Sequence, residues 1–357
     1  MSLFSAPKFL AMPAIGLDIS MDAIRFIELD RKGDQLVVSR FASRQFPAGM
    51  ITEGRSGDKK KLQDVIGALA HEYKLGFANI SLPEEQAYLA NIQVPRVPIA
   101  ELHDAIELRL EEHVPISGPD AIFDYVVVGE AGNHRRDVID VVVSVMPRAI
   151  IDEYLEIFHG TGVTPKAFEL ESQAMARSII PRGDNGTFLV VDIGKKMTDI
   201  FVAANGVVQF SASLDVGGHN FTQAIEKGMK ITYEEAEVMK VKHGLVGGGA
   251  DGDLRAVLAP MISDFRTRLM RHYMYWQTHH GEKVGGNIES IYLTGGGANL
   301  KGIAEYLAMG VDVQVKIANP WVNVCSFERY IPPLAMRQSH GYSAAIGLAL
   351  RDSFPMN

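Results

Sequence analysis

Cysteine is nearly absent: Cys325 stands alone in 357 residues. No intrachain disulfide can form, so stability must come from buried apolar surface, which fits a reducing compartment. No run of residues approaches the ~18 or more consecutive apolar residues of a membrane-spanning helix. There is no charged head before a long apolar run, so no secretory leader is indicated. Ser2 to Met12 carry apolar residues and Lys8. They are expected to dock on the body of the protein, with a short membrane-touching helix as the alternative. Positive charge is not in excess either. Lys and Arg total 35 against 43 Asp and Glu, a net charge of −8, which speaks against a general nucleic-acid-binding surface. The composition, 47% hydrophobic and 22% charged, is that of a globular chain, long enough for two main lobes with insertions.

The most informative stretch is 188–199, Phe-Leu-Val-Val-Asp-Ile-Gly-Lys-Lys-Met-Thr-Asp. Phe188 to Val191 read as a buried strand. Asp192 sits at its end, and a carboxylate there is costly to desolvate unless it meets a cation or hydrogen-bond donors. Gly194 follows, then Lys195, Lys196 and Thr198, and Ile200 begins a second strand. A glycine at such a turn lets backbone N–H groups approach an anion. The pattern fits one jaw of a phosphate-and-magnesium clamp, and equally an ordinary hairpin capped by its aspartate. A second copy favours the clamp. In residues 14–27, Asp18 falls on Asp192, Ser20 on Gly194 and Phe26 on Ile200. Each copy leads to a further strand (35–46; 206–216), a helix (59–73; 221–230) and a strand running into a loop (77–83; 288–297). A duplicated β-β-β-α-β lobe puts two acid-bearing turns face to face across a cleft.

Between the copies, residues 87–165 read as an inserted α+β module: strand 87–94, helix 99–113, strands 122–128 and 138–145, helix 148–159. The hairpin turn is expected at Ala131-Gly132-Asn133, and 47–58 as a loop. Glu101, Asp104, Glu107, Glu111 and Glu112 make helix 99–113 acidic, which reads as a solvated face before it reads as a docking surface for a basic segment. A strand at 167–170 leads to Glu171, which opens a helix crossing between the lobes. Its simple role is to satisfy the helix dipole. Gly217 and Gly218 precede a helix, where backbone amides can face phosphates. Thr232 and Glu235 form a capping box, and Glu237 and Lys240 pair one turn apart. Gly295-Gly296-Gly297, from a strand into a helix, let backbone lie flat against a ligand. His279, His280 and Glu282 read as surface residues. Gly341 to Leu350 form a small-residue helix suited to close packing.

Asp18 with its turn, Glu171, Asp192-Ile193-Gly194 with Thr198, the diglycine, Glu237/Lys240 and Leu293-Thr294-Gly295-Gly296-Gly297 occur in the order of the actin-like ATPase superfamily. Within it the chain most resembles the PilM family of type IV pilus assembly, over about Ala14 to Leu350; cell-division FtsA is more distant. The stretch 160–171 looks particularly PilM-like. The resemblance implies an α/β, two-lobed actin-like ATPase fold of duplicated ribonuclease-H-like lobes. The first lobe would take 1–86, the inserted α+β subdomain 87–165 and the crossing helix 166–185. The second lobe would take 186–220, its insertion 221–287, and the return to the first lobe 288–357. ATP would bind between the lobes, with Asp18 and Asp192 holding Mg2+ largely through water. Ser20, Gly194, Lys195 and Thr198 would face the phosphates, joined by Gly217 and Gly218, and Arg25, where the family often has Lys, would also bind the nucleotide. Glu237 and Lys240 would touch ribose and adenine; Gly295, Gly296, Gly297 and Asn299 would floor the adenosine. Glu171 would position the attacking water, with turnover slow at most. Ser20, Met21 and Asp22 depart from the small residues usual in the first turn, and Lys195 and Lys196 from those in the second. The implied role is a cytoplasmic scaffold at the inner membrane that binds the N-terminal tail of a PilN-type membrane protein. Pilus assembly ATPases and self-association are further candidate partners. An FtsA-like polymer and a small-molecule kinase are the alternatives. The short polar end at 351–357 does not match the membrane helix of FtsA-type chains.

Overall fold

Strand β1 (Ala14–Ile19) is buried along almost its whole length, as befits a central strand covered on both faces. The computed structural model describes residues 14–353 apart from 34, 48, 53, 131–136, 247–251 and 280–285. The expectations for Ser2 to Met12, Ala131 to Asn133, His280 and Glu282 lie outside the described residues.

Antiparallel β2 (Ala23–Lys32) and β3 (Gln35–Gln45) extend β1 on one side. The stretch expected as a loop holds a two-residue hairpin, β4 (Ile51–Thr52) and β5 (Arg55–Ser56). Helix α1 (Lys59–Tyr73) starts at Asp58, whose side chain accepts from the Lys61 amide, and buries Leu62, Ile66 and Leu69 on one face. Strand β6 (Phe77–Leu82) then pairs parallel with β1.

The inserted sheet follows: β7 (Tyr88–Pro95), α2 (Ile99–Leu110), β8 (Ala121–Glu130) and β9 (Val138–Pro147), in order β7-β9-β8. Leu102, Ile106 and Leu110 of α2 close its small core, and Glu101, Asp104, Glu107, Glu111 and Glu112 stay exposed. The helix assigned to this module from the sequence packs elsewhere. Ile150, Tyr154, Ile157 and Phe158 of α3 (Arg148–Phe158) join Leu62, Ile66 and Leu69 in the first-lobe core. Its apolar face matches α1, whereas the small sheet has one face to cover and α2 already covers it.

Strand β10 (Thr164–Leu170) completes the first sheet, and α4 (Glu171–Ile179) crosses to the second lobe. There β11 (Thr187–Ile193), β12 (Thr198–Ala204) and β13 (Val207–Leu214) form an antiparallel trio. Helices α5 (Gly218–Met229), α6 (Tyr233–His243) and α7 (Gly252–His279) follow. Then come β14 (Ser290–Thr294), α8 (Ile303–Leu307), β15 (Gln314–Ile317), α9 (Met336–Ser339) and α10 (Ser343–Leu350).

The duplication is explicit in the topology. The first sheet runs β3-β2-β1-β6-β10 and the second β13-β12-β11-β14-β15. In both, the first three strands pair antiparallel and the last three parallel. The register repeats too: Asp18 pairs with Arg25, and Asp192 with Asp199.

Helix α10 packs β1 against the crossing helix α4 because small residues let backbones touch. A Cβ on Gly347 would lie 1.7 Å from the Ala174 carbonyl oxygen of α4, and one on Gly16 1.9 Å from that of Ala345. Gly347→Ala should therefore cost about 3 kcal/mol of stability in urea unfolding. Gly76→Ala, which adds its methyl to open space, should stay within about 0.5 kcal/mol of the wild type. Equal effects at both positions would refute the packing account.

Candidate functional site

Between the lobes lies a cleft of about 730 Å³. Its walls are the ends of the two central strands, the loops after β6 and β14, and the starts of α4, α5 and α9. Of the residues singled out from the sequence, Asp18, Ser20, Arg25, Glu171, Asp192, Gly194, Lys195, Gly218, Glu237, Lys240, Gly295, Gly296, Gly297 and Asn299 line it. Gly217 and Thr198 do not. Thr198 is fully buried, and its hydroxyl donates to the Val216 carbonyl at 2.7 Å. It ties β12 to the segment entering α5 and cannot turn to a ligand without abandoning that bond.

The glycines act differently from the simple phosphate-cradle picture. The Gly194 amide donates to Met197 O at 2.9 Å, and those of Gly218 and His219 donate to the carbonyls of Gly194 and Lys195 at 3.0 and 2.7 Å. The first amides of α5 thus hold the second turn, and Gly217 lies so close that a Cβ would meet the Lys195 carbonyl at 2.7 Å. Among the described residues, the Lys195 and Lys196 amides make no such backbone bond, so within this turn they are the N–H groups available to an anion. Gly295 (φ +78°) and Gly297 press on the same strand end, where added Cβ atoms would come 2.2 Å from Asp192 Oδ1 and 2.2 Å from Ile193 Cγ2. Gly296 alone of the three faces open space, and the run enters a 3-10 turn (296–299) before any helix.

Lys240 is committed as well. Its ammonium donates to Gly218 O at 3.0 Å, Thr222 Oγ1 at 2.7 Å and Glu237 Oε2 at 2.7 Å, which uses all three donors. Burial pushes Glu237 up, but bonds from Lys240 and Thr222 outweigh it and hold the carboxyl below its usual range. Lys240 organises Glu237 and the first turn of α5, and the bonds from Lys240 and Thr222 both fall on Glu237 Oε2. Asn299 donates to Arg337 O at 2.8 Å and faces His340 Nδ1 at 3.2 Å, fastening the glycine turn to α9.

The acids dominate the electrostatics. Asp18 accepts from Ser81 Oγ at 2.9 Å and lies 4.0 Å from Arg25. Burial still raises it, against Arg25 and Ser81. Burial, reinforced by the charge of Asp18, pushes Asp192 up to about 7. Burial and the charges of Asp18, Asp199, Glu85 and Asp192 drive Glu171 well above its usual range. Asp199 is raised in the same way by burial and Glu85, although Ser213 donates to it. Such a cleft is short of positive charge. The donor set of hard carboxylate oxygens fits a divalent cation. Among the described residues only exposed His103, Asp104 and Glu107 bring three metal-type donors within 4.8 Å of one another, so a cation between Asp18 and Asp192 would keep water in its shell.

Several lining residues were not singled out from the sequence: Glu85, Tyr154, Asp199, Tyr233, Arg337 and His340. The duplication held a signal for one group. The 3-10 turn 84–86 after β6 is the counterpart of 296–299 after β14. There buried Glu84 accepts from Ser172 N at 3.3 Å and Ser172 Oγ at 3.0 Å, capping the start of α4 in place of the missing side-chain cap beside Glu171.

The family model described as type IV pilus assembly protein PilM matches residues 16–353. The chain belongs to the PilM family. The PilM-PilN type IV pilus biogenesis complex is similar in structure at a TM-score of 0.79 and 24% identity, over 97% of this chain and 100% of the other. The ethanolamine utilization protein EutJ from Carboxydothermus hydrogenoformans aligns at a TM-score of 0.55 and 16% identity, over 94% and 89%. MreB5 of Spiroplasma citri bound to AMPPNP aligns at 0.50 and 15%, over 87% and 92%. These likenesses establish the actin-like ATPase fold. Curated relatives are more distant: FtsA of Staphylococcus epidermidis is 26% identical over 153 residues, 37% of this chain and 32% of that protein. FtsA of Neisseria meningitidis serogroup B is 25% identical over 148 residues, 37% and 36%. The chain spans about a third of the length of these curated relatives, so an FtsA-like reading of this PilM-family chain is not favoured. No helix among the described residues is long and apolar enough to cross a membrane.

Asp192 gives the cleft a pH signature. Its folded value near 7 exceeds the unfolded value of about 4. The fold therefore binds a proton that the unfolded chain has released, and stability falls as pH rises between these limits. In metal-free buffer Asp192→Asn should be more stable than the wild type at pH 8, by about 2–4 kcal/mol, and nearly equal to it at pH 4. A gap in urea unfolding that does not change with pH would refute this.

Proposed function

We propose that this chain is a nucleotide-binding scaffold of the type IV pilus inner-membrane platform, cytoplasmic and peripheral to the membrane, that holds the N-terminal tail of a PilN-type membrane protein. The single observation that carries the nucleotide half is the pair of duplicated strand-end acids, Asp18 and Asp192, both lining the 730 Å³ cleft. Membership of the PilM family and the similarity to a PilM-PilN complex support the partner half.

In this reading the open amides of Lys195 and Lys196, with the Lys195 and Arg25 side chains, receive the phosphates. Gly296 and Glu237 border the nucleoside. Asp18 and Asp192 hold Mg2+, which would supply the positive charge that lets phosphates and carboxylates share the cleft. Burial first, and then the charges of Asp18, Asp199, Glu85 and Asp192, raise the Glu171 carboxyl well above its usual range, which weakens it as a proton acceptor and fits turnover that is slow at most. Its role in positioning water begins only when the charges of Asp18 and Asp192 are offset.

Calorimetry should show magnesium-dependent ATP binding in the micromolar range, roughly −8 kcal/mol, abolished in Asp192→Ala. A silent wild type would refute the nucleotide half. A labelled N-terminal tail peptide of the cognate PilN-type protein should bind in fluorescence anisotropy. No binding, with or without MgATP, would refute the partner half.

A further inference from the structure

The two acid-bearing turns are joined to each other by charge. Asp22, in the turn after β1, stands 3.4 Å from the Lys195 ammonium in the turn after β11. The same carboxylate lies 3.8 Å from Arg25 and accepts from Ser20 Oγ at 3.3 Å. Arg25 donates to Ser20 Oγ at 2.9 Å and approaches Asp18 at 4.0 Å. All of these side chains line the cleft. Asp22 is 19% exposed and Arg25 20%, while Lys195, at 54%, is the solvent-facing member. A carboxylate therefore stands between the two cations that an anionic ligand in this cleft has to reach.

We propose that Asp22 is a built-in phosphate surrogate. It occupies Lys195 and Arg25 when the cleft is empty, ties the first lobe to the second through Lys195, and has to be displaced by the phosphates of an entering nucleotide. This rests on the nucleotide-binding reading and adds the residue that sets its affinity. The charge argument gives the direction. A polyphosphate gains Lys195 only by breaking Asp22–Lys195, and it then faces the released carboxylate at close range. Asp22→Asn keeps the shape and removes both penalties.

The test is a calorimetric titration of the full chain with MgATP at low and high salt. It compares the wild type, Asp22→Asn, Lys195→Met and the double variant, with Asp22→Ser as a second replacement and thermal melts to verify folding. Asp22→Asn and Asp22→Ser should bind about fivefold more tightly than the wild type, the scale of one partly exposed ion pair. The gain should shrink at high salt and shrink further on the Lys195→Met background, where only Arg25 and the direct repulsion of the carboxylate remain. A wild type that binds, with Asp22 variants that bind equally or less well, would overturn the surrogate and leave the nucleotide reading standing. Silence of every variant towards both MgATP and tripolyphosphate would overturn both.

Discussion

Asp18, Glu171, Asp192 and Asp199 come from four different elements and meet in one cleft, where burial pushes every one of them towards the protonated form. Such a gathering works against the fold in the absence of a counter-charge. It persists because the apolar cores of the two lobes, built on α1 with α3 and on α5 with α7, back onto the cleft and fix the strands that carry the acids. The acids sit at strand ends, where the ladder stops and the backbone is already committed. Their positions are set by the sheets, and their energetics by whatever cation or ligand enters between them.

The duplicated lobes are not charge-equivalent. Register places Arg25 beside Asp18 in one lobe and Asp199 beside Asp192 in the other. The first turn carries its own counter-charge, and the second adds a further acid. Lys195, a cation of the second lobe, reaches across to Asp22. Asp192 is raised by burial first and then by the charge of Asp18, with Arg25 acting to lower it.

Close backbone packing connects this electrostatic centre to the rest of the molecule. Helix α10 touches β1 through Gly16 and α4 through Gly347, so the strand that bears Asp18 and the helix that begins with Glu171 share one support. Buried Glu169 binds Arg177 and Arg351 on the outer side of that support. The inserted module bears on the second lobe where Asn91 Nδ2 donates to Gln209 O at 2.8 Å. Any movement of the lobes about the cleft has to be accommodated there, next to the module that distinguishes this chain from a plain two-lobed fold.

The sequence by itself determined the duplicated lobes, the central strands and the acid at the end of each. Alternation, burial and glycine turns are local properties, and a repeat can be read against itself. It also placed α1, α2, the capping box at Thr232 and the small-residue helix that packs on the first lobe. What it could not determine was which backbone groups remain free once the chain has closed on itself. Gly194, Gly218 and His219 all spend their amides on the turn after β11, Thr198 turns its hydroxyl to Val216, and Lys240 spends its ammonium inside α5 and α6. Glu85, Tyr154, Arg337 and His340 reach the cleft from distant segments with no motif of their own. Hydrogen-bond partnership and desolvation depend on neighbours far apart in the chain. The residue types that could hold a phosphate were therefore legible in the sequence, and only the tertiary structure decided which of them keep a donor to offer.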